Sequence, residues 1–366
     1  MDEKGKRSPA HNRGFCTANA DAVTFVIANL VAYLQTRPEI QIFDFWPPDG
    51  IRWCQCGPCK ALGTTSDQQA ILLGKAQAEV AKVRPDVRLE VIAYSSYVDP
   101  PQTAKLDTGV LVDFCPIGQN FDVQIDDPAG NKNAEYVAAL TAWRKKFSGD
   151  ISIYSYYRKY AWDSRPVIIP HYMQKDLRWY LTLPIQGIST YAEPGDWAAY
   201  ESNHYILARL AWNPAADVDA LVKKFAEARF GPAAEAAVAA CGALEETVRV
   251  YGGIPGTALK DAAGIAKAGE RVKAAAARVE EEGRRAPGPG PKRALERLGL
   301  SLAYAAADLD LRRMQAAKAK PEEIRKRVDT FYALVETHQK DGVFLVHLGR
   351  MSKEKLLGDY GINPNK

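Results

Sequence analysis

The strongest constraint on the fold is a regular alternation of helical and strand patterns over the first 212 residues. Two helical patterns, at residues 20–34 and 67–83, each lead through Arg-Pro and an acidic residue into strand patterns at 40–46 and 88–94. Further strand patterns lie at 109–115, 151–156 and 187–191, with helical patterns at 133–147, 174–183 and 197–212. Five strands with helices between them indicate a parallel sheet in an α/β protein.

The length of this region predicts only part of a barrel. A complete TIM (β/α)8 barrel takes about 250 residues, whereas this region has 212 residues and begins with a helix. We therefore predict a partial TIM-type barrel of about five βα units, in which the five strands are the fourth to the eighth. The alternative is an open doubly wound sheet. No glycine-rich phosphate loop follows any strand pattern, which argues against its nucleotide-binding forms.

The composition changes after residue 213. Residues 215–341 are rich in alanine, glutamate, lysine and arginine, with breaks at 231–232, 252–256 and 286–291. This pattern predicts an all-α bundle of about five helices joined by short loops. The predicted domains are a barrel at residues 1–212 and a helical bundle at 213–366.

The overall charge and hydropathy exclude several classes of protein. Lysine plus arginine exceeds aspartate plus glutamate by only 48 − 44 = 4, which gives no reason to expect a nucleic-acid partner. No apolar run approaches the roughly 20 residues that a membrane-spanning helix needs. The first residues lack the apolar core of a signal peptide. Nothing in the sequence indicates an oligomeric state.

Four of the six cysteines precede residue 60, at Cys16, Cys54, Cys56 and Cys59. They could supply the four thiolates of a structural zinc site, or form two disulfides in an exported protein. Adjacent cysteines in a tight loop converge easily on one ion, which favours the metal. In either case they would hold the loop that carries Asp49. Cys115 and Cys241 are interpreted as buried thiols.

Three carboxylates at or near strand ends are the candidate catalytic residues: Asp49, Asp113 and Glu193. The active site of a TIM barrel lies at the carboxyl ends of its strands, and burial there could raise the pKa of an acid. Asp49 lies between two tryptophans, but Asp-Gly is also a common turn pair. Strand alternation places Glu193 on the face opposite the apolar positions, although it could instead cap the next helix. Asp44 lies within a strand and is interpreted as structural.

Aromatic residues at strand ends indicate a sugar-binding surface, because sugar rings stack on aromatic faces. Tyr97, Tyr157 and Tyr160 add to their density near the strand ends. His171 follows a strand and Pro170, where it could line the site or cap a helix. The predicted substrate-binding residues are Trp46, Tyr94, Tyr154, Tyr156, Trp162 and His171.

Five segments are, in order, similar to the catalytic-core region of the domain-of-unknown-function family 4838: FCTANADAV, FWPPDGIRWCQCGPCK, PDVRLEVIAYSSYVDPP, QGISTYAEPGDW and LARLAWNPAADVDALVKKFAEARFGPAAEA. The resemblance covers about residues 10–240, and its most specific part is the Cys-x-Cys-x-x-Cys loop with the preceding Asp-Gly. Such domains occur in large bacterial carbohydrate-degrading proteins and resemble the barrels of family 67 α-glucuronidases and family 20 β-hexosaminidases. Members usually carry a preceding sandwich-like domain and the first barrel strands, so this chain looks truncated.

The resemblance implies a glycoside hydrolase-like protein that acts on a polysaccharide or glycoconjugate by carboxylate acid/base catalysis. It also implies export to the periplasm or the exterior, and little activity for a truncated chain alone. One alternative is a non-catalytic carbohydrate-binding module, a degenerate barrel that keeps the aromatic residues without a working carboxylate pair. A second alternative, an intracellular zinc-dependent interaction protein, depends on the cysteines alone.

Overall fold

The computed structural model describes residues 14–121, 123–128, 131–251, 262–345 and 351–363. The break predicted at 252–256 lies outside these ranges. The strands are β1 (Ile42–Asp44), β2 (Arg88–Tyr94), β3 (Leu111–Cys115), β4 (Asp150–Ser155) and β5 (Gly187–Thr190). The α-helices are α1 (Ala20–Gln35), α2 (Gly57–Ala61), α3 (Thr65–Val83), α4 (Asn131–Lys146), α5 (Pro170–Thr182), α6 (Trp197–Trp212), α7 (Val218–Phe230), α8 (Ala234–Val250), α9 (Ala262–Arg285), α10 (Pro289–Ala316), α11 (Pro321–Thr337) and α12 (Lys353–Asp359).

The five strands form one parallel sheet in the order β1-β2-β3-β4-β5 and curve into a half-barrel. The prediction of a partial α/β barrel followed by a helical region is therefore confirmed. Strand β1 is shorter than its pattern predicted, since the ladder with β2 pairs only Ile42–Asp44 with Arg88, Leu89 and Glu90. Each strand follows its neighbour in sequence, as successive βα units require.

The two faces of the sheet differ in polarity. Five residues of β2, β3 and β4 that point to the helix layer are fully buried and apolar, namely Leu89, Val112, Phe114, Ile151 and Ile153. Helix α3 packs on this face, and its Gln77 bridges the edge of β2 by accepting from the Leu89 N–H at 2.8 Å. Residues at the intervening positions point to the inner face of the half-barrel.

The repeated Arg-Pro-acid junction has a structural role. Arg84, in the second junction, donates to backbone carbonyls of the first junction, with 2.8 Å to Leu34, 2.9 Å to Arg37 and 2.8 Å to Ile40. The carboxylate of Asp86 holds the same guanidinium at 2.7 Å. The Leu34 carbonyl lies in the last turn of α1, where carbonyls lack a partner within the helix, and Arg84 adds to the backbone bonds that the Leu34 and Arg37 carbonyls accept. The second βα unit therefore fixes the path by which the chain enters β1.

The chain divides into two compact units. The first comprises Met1–Gly118, Ala134–Ser155 and Tyr180–Ser189, and it contains most of the sheet with α1, α2, α3 and most of α4. The second comprises Gln119–Asn133, Tyr156–Trp179 and Thr190–Lys366. The predicted boundary between residues 212 and 213 stays a prediction.

Helices α7 to α11 lie within the region predicted as a bundle. The break predicted at 286–291 is shorter than expected, because α9 ends at Arg285 and α10 already begins at Pro289. Proline is well accommodated in the first turn of a helix, where its missing N–H would have no partner. Within the described ranges, every helix is too short or too polar to cross a membrane.

Candidate functional site

Three carboxylates on adjacent strands share the inner face of the half-barrel. Asp44, the last residue of β1, lies opposite Glu90 of β2 in the ladder. Asp113 of β3 lies opposite Ser152 of β4, whose hydroxyl donates to Asp113 Oδ1 at 2.7 Å. Alternation along β2 and β3 turns Glu90 and Asp113 away from the buried apolar face. We refer to Asp44, Glu90 and Asp113 as the carboxylate cluster.

The surroundings raise the pKa values within this cluster. Burial, followed by the negative charges of Asp113 and Asp44, raises the pKa of Glu90 to about 8. Burial raises the pKa of Asp113 to about 6; the hydrogen bond from Ser152 opposes this rise and the charge of Asp44 adds to it. At neutral pH the cluster therefore retains a proton on Glu90 while Asp113 is mostly ionised. Two carboxyl groups with separated pKa values are what acid/base chemistry requires.

Glu90 was not among the residues predicted from the sequence. A signal was present, because strands of a parallel sheet covered on both faces usually form nearly continuous apolar runs. The segment RLEVIAY of β2 departs from such a run at Arg88 and Glu90, two positions that share one face. Arg88 is neutralised by Asp150, 2.7 Å away on the same face. Glu90 instead is partly buried and lies beside other acids, and burial followed by their charges raises its pKa.

Aromatic side chains lie on the same inner face, beyond the carboxylates. Trp46 follows Asp44 by two residues and Tyr154 follows Ser152 by two, and their rings meet edge-on with centroids 5.9 Å apart. Strands β1 and β4 would be about 14 Å apart in a flat sheet with roughly 4.8 Å between neighbours. The contact therefore requires the sheet to curl toward this face. Trp46 and Tyr154 border the carboxyl end of a concave surface.

The loop after β1 places Asp49 in a tight turn. The Ile51 N–H donates to the Pro48 carbonyl at 3.1 Å, and Gly50 has the positive φ of 65° that the third position of a type II turn needs. The Asp49 carboxylate accepts from the Gly50 N–H at 2.9 Å. Burial, and then the charge of Asp49, raises the pKa of Tyr94, so Asp49 and Tyr94 are neighbours. The catalytic role of Asp49 stays a prediction.

Glu193 belongs to the second unit. It occupies the cap position before the short 3-10 helix Pro194–Asp196, but its side chain makes no capping hydrogen bond. Its carboxylate instead accepts a hydrogen bond from the Tyr191 hydroxyl. Tyr191 also stacks on Tyr156, with ring centroids 6.3 Å apart. The structure thus brings two of the predicted residues, Glu193 and Tyr156, to the same tyrosine, and their roles stay predictions.

Trp162 and His171 also lie in the second unit. Trp162 is only 2% exposed and stacks on Tyr200 with centroids 6.5 Å apart, which is the environment of a core residue. The His171 imidazole contacts Glu245 at 2.7 Å and Asp219 at 3.2 Å. Burial lowers the pKa of His171, but these two carboxylates outweigh it and raise the pKa overall. His171 therefore joins the start of α5 to α7 and α8 through charge.

The cysteines predicted to act together do converge. The Sγ atoms of Cys16, Cys54, Cys56 and Cys59 all lie within 4.8 Å of one another, and none of the four is in a disulfide. Cys115 and Cys241 are buried free thiols, consistent with their interpretation as core residues.

The fold is a partial α/β barrel followed by a helical region. Residues 1–241 match the family model DUF4838, described as a domain of unknown function, and the chain belongs to this family. Among solved structures the chain is similar to a family GH115 4-O-methyl-α-glucuronidase, BtGH115A, with specificity for decorated arabinogalactans. The TM-score is 0.60 at 13% sequence identity, and the match covers 99% of this chain and 50% of that one. No curated protein sequence matches the chain.

Proposed function

We propose that this protein is a glycoside hydrolase that acts on a polysaccharide or glycoconjugate by carboxylate acid/base catalysis. The observation that carries the proposal is the carboxylate cluster on the inner face of the half-barrel, where Glu90 has a pKa of about 8 and Asp113 a pKa of about 6. The glycoside hydrolase-like fold adds support, because barrels of this type bind substrates at the carboxyl ends of their strands.

Hydrolysis of a glycosidic bond needs two carboxyl groups in opposite protonation states. Glu90, which keeps its proton at neutral pH, is the proposed general acid that protonates the leaving oxygen. Asp113 is the proposed second carboxylate, which either takes a proton from the attacking water or attacks the anomeric carbon. The hydroxyl of Ser152 stabilises the ionised form of Asp113 and fixes its orientation. The configuration of the released sugar, read by NMR, distinguishes the two routes.

Substrate binding is assigned to the aromatic residues above the cluster. Trp46 and Tyr154 meet at the carboxyl end of the inner face, and Tyr94 lies at the end of β2 beside Asp49. An aromatic face binds the apolar face of a sugar ring, and a tyrosine hydroxyl can bond to sugar hydroxyls. Asp49 and Glu193, proposed from the sequence, are the competing candidates for the acid and the second carboxylate.

The test is hydrolysis of a panel of aryl glycosides and polysaccharides by the complete gene product. Glu90→Gln and Asp113→Asn should each lower turnover by a factor on the order of 10²–10⁴, the usual contribution of acid/base catalysis. Glu79→Gln is the matched control, because Glu79 lies on the surface of α3 and pairs with the neighbouring Lys82. Full turnover in Glu90→Gln would contradict the general-acid role of Glu90. If turnover is then lost in Asp49→Asn or in Glu193→Gln, the catalytic role belongs to the residue whose replacement abolishes it.

The second candidate is a non-catalytic carbohydrate-binding module. It is favoured by one observation, that the Asp49 carboxylate is engaged by the backbone of its own turn. A gene product that binds glycans on an array but hydrolyses none of them would support this candidate and contradict the enzyme. Trp46→Ala should weaken glycan binding in both cases.

A further inference from the structure

The four converging cysteines form a group that the proposed chemistry does not use. Cys16 precedes α1, whereas Cys54, Cys56 and Cys59 belong to the loop after β1 and to α2. Cys16 Sγ lies 3.7 Å from Cys56 Sγ and 3.5 Å from Cys59 Sγ. Cys54 and Cys59 are 2% and 0% exposed, whereas Cys16 and Cys56 are half-buried, so one side of the group is shielded from water.

These distances match a tetrahedral metal site. Four thiolates at about 2.3 Å from a central zinc ion are about 3.8 Å apart. A disulfide requires about 2.05 Å between two sulfurs, and it would divide the four atoms into two close pairs. Here all six separations fall within 4.8 Å, and none of the four cysteines is in a disulfide. An iron–sulfur cluster with several irons would hold its thiolates farther apart.

We propose that Cys16, Cys54, Cys56 and Cys59 bind one zinc ion. A tetrahedral set of four sulfurs selects zinc or iron among biological metals, and the proposal commits to zinc. Four protein ligands leave no open position for water or substrate, so the ion is structural and not catalytic.

A side chain next to the sulfurs fits the role of an outer partner. The Thr17 hydroxyl donates to Gln68 Oε1 at 3.3 Å and lies 3.6 Å from Cys59 Sγ. Thr17 and Gln68 are 6% and 3% exposed, so their polar groups need partners inside the protein. When Cys59 is a thiolate, the Thr17 hydroxyl can turn its proton from Gln68 Oε1 to the sulfur, which lies 3.6 Å away. Such bonds orient metal ligands and tune their basicity.

The ion would fasten the loop that carries Asp49 and Trp53. Two backbone hydrogen bonds already hold that loop: the Phe45 N–H donates to the Glu90 carbonyl at 3.0 Å, and the Gly14 N–H donates to the Arg52 carbonyl at 3.1 Å. The zinc would add a third attachment, between Cys16 and the cysteines that follow Trp53. Because such a site rarely exists in the unfolded chain, the free energy of metal binding stabilises the folded loop.

The test is the metal content of the purified gene product, measured by mass spectrometry of the elements after dialysis. We expect one zinc per chain in the wild-type protein. In Cys54→Ser and in Cys59→Ser the zinc content should fall to about one-tenth of that value or below. Cys241→Ser is the matched control, because Cys241 is equally buried but lies in α8 of the other unit. It should keep its zinc.

A second measurement does not depend on the folding of variants. The wild-type protein is stripped with a chelator under reducing conditions and titrated with Co²⁺, which gives intense thiolate-to-metal absorption when four sulfurs bind it. One equivalent with this spectrum supports the site. Six free thiols without bound metal, two disulfides by mass after alkylation, or iron in place of zinc would each overturn the zinc proposal.

Discussion

Replacing Glu90 by glutamine should make the stability of the protein less dependent on pH. Burial and the charges of Asp113 and Asp44 raise the pKa of Glu90 from 4.5 to about 8 on folding. The folded protein therefore holds the Glu90 proton more tightly than the unfolded chain does. This stabilisation is fully present below about pH 4.5 and is lost as the pH rises through 8. Glutamine, which has no charged form, does not incur this loss.

The size of the effect follows from the pKa change. Moving a pKa from 4.5 to about 8 corresponds to at most about 5 kcal/mol in the free energy of unfolding. Glu90 is only half-buried, and solvent screens such interactions strongly, so about 2 kcal/mol is the expected loss. Between about pH 5 and pH 9, wild type should lose about 2 kcal/mol relative to Glu90→Gln.

The assay is urea unfolding of both proteins, followed by tryptophan fluorescence at about pH 5, 7 and 9. The difference in the free energy of unfolding should grow with pH, whereas Glu79→Gln should show a constant difference from wild type. Infrared spectroscopy gives an independent check, because a protonated carboxyl group has its own C=O band. That band should be present at pH 7 in wild type and reduced in Glu90→Gln.

A constant difference between wild type and Glu90→Gln over this pH range would refute the reasoning. It would mean that Glu90 is ionised at neutral pH and cannot be the proton donor proposed above. The same result in Asp113→Asn would indicate that the inner face is well solvated, which would remove the basis for both raised pKa values.

Two further predictions concern the stability of each unit. Asp67→Ala should lower the free energy of unfolding by about 2–4 kcal/mol, because the Asp67 carboxylate accepts from the N–H groups of Thr103 at 2.7 Å and Ala104 at 2.8 Å; a calorimetric Tm equal to that of wild type would contradict this. Asp308→Asn should lower the free energy of unfolding by about 3–5 kcal/mol. In the wild-type protein Asp308 lies 3.0 Å from the buried guanidinium of Arg165, which the substitution leaves without its counter-charge. Urea unfolding measures this loss, and a stability within a few tenths of a kcal/mol of wild type would show that Arg165 is compensated elsewhere.

The sequence determined the strands and helices because their patterns are local. Residues two apart share a strand face, and residues three or four apart share a helix face. The five strands, α6 and the helices of the bundle could therefore be located from the sequence alone. The short helices α2 and α12 were not predicted, and the strands differ from their patterns only at their ends. Strand β1 ends two residues before its apolar pattern does, because the ladder with β2 depends on a partner 46 residues away.

The cysteine group was only partly determined by the sequence. The close spacing of Cys54, Cys56 and Cys59 places three sulfurs in one short segment whatever the fold. Cys16 lies 38 residues before Cys54, and nothing in the local pattern fixes its distance from the loop. Its arrival within 3.5 Å of Cys59 depends on how α1 packs beside the loop after β1.

The candidate acid was decided by the tertiary structure alone. Parity along β3 was enough to select Asp113, because alternation is a local property. Glu90 could be seen only as an interruption of an apolar run. Its raised pKa arises first from burial and then from the charges of carboxylates on two other strands, and both effects depend on separation in space and on the local dielectric. The sequence therefore specified which carboxylates the chain carries and which face of each strand they occupy, whereas the pairing of the strands decided which of them would keep its proton.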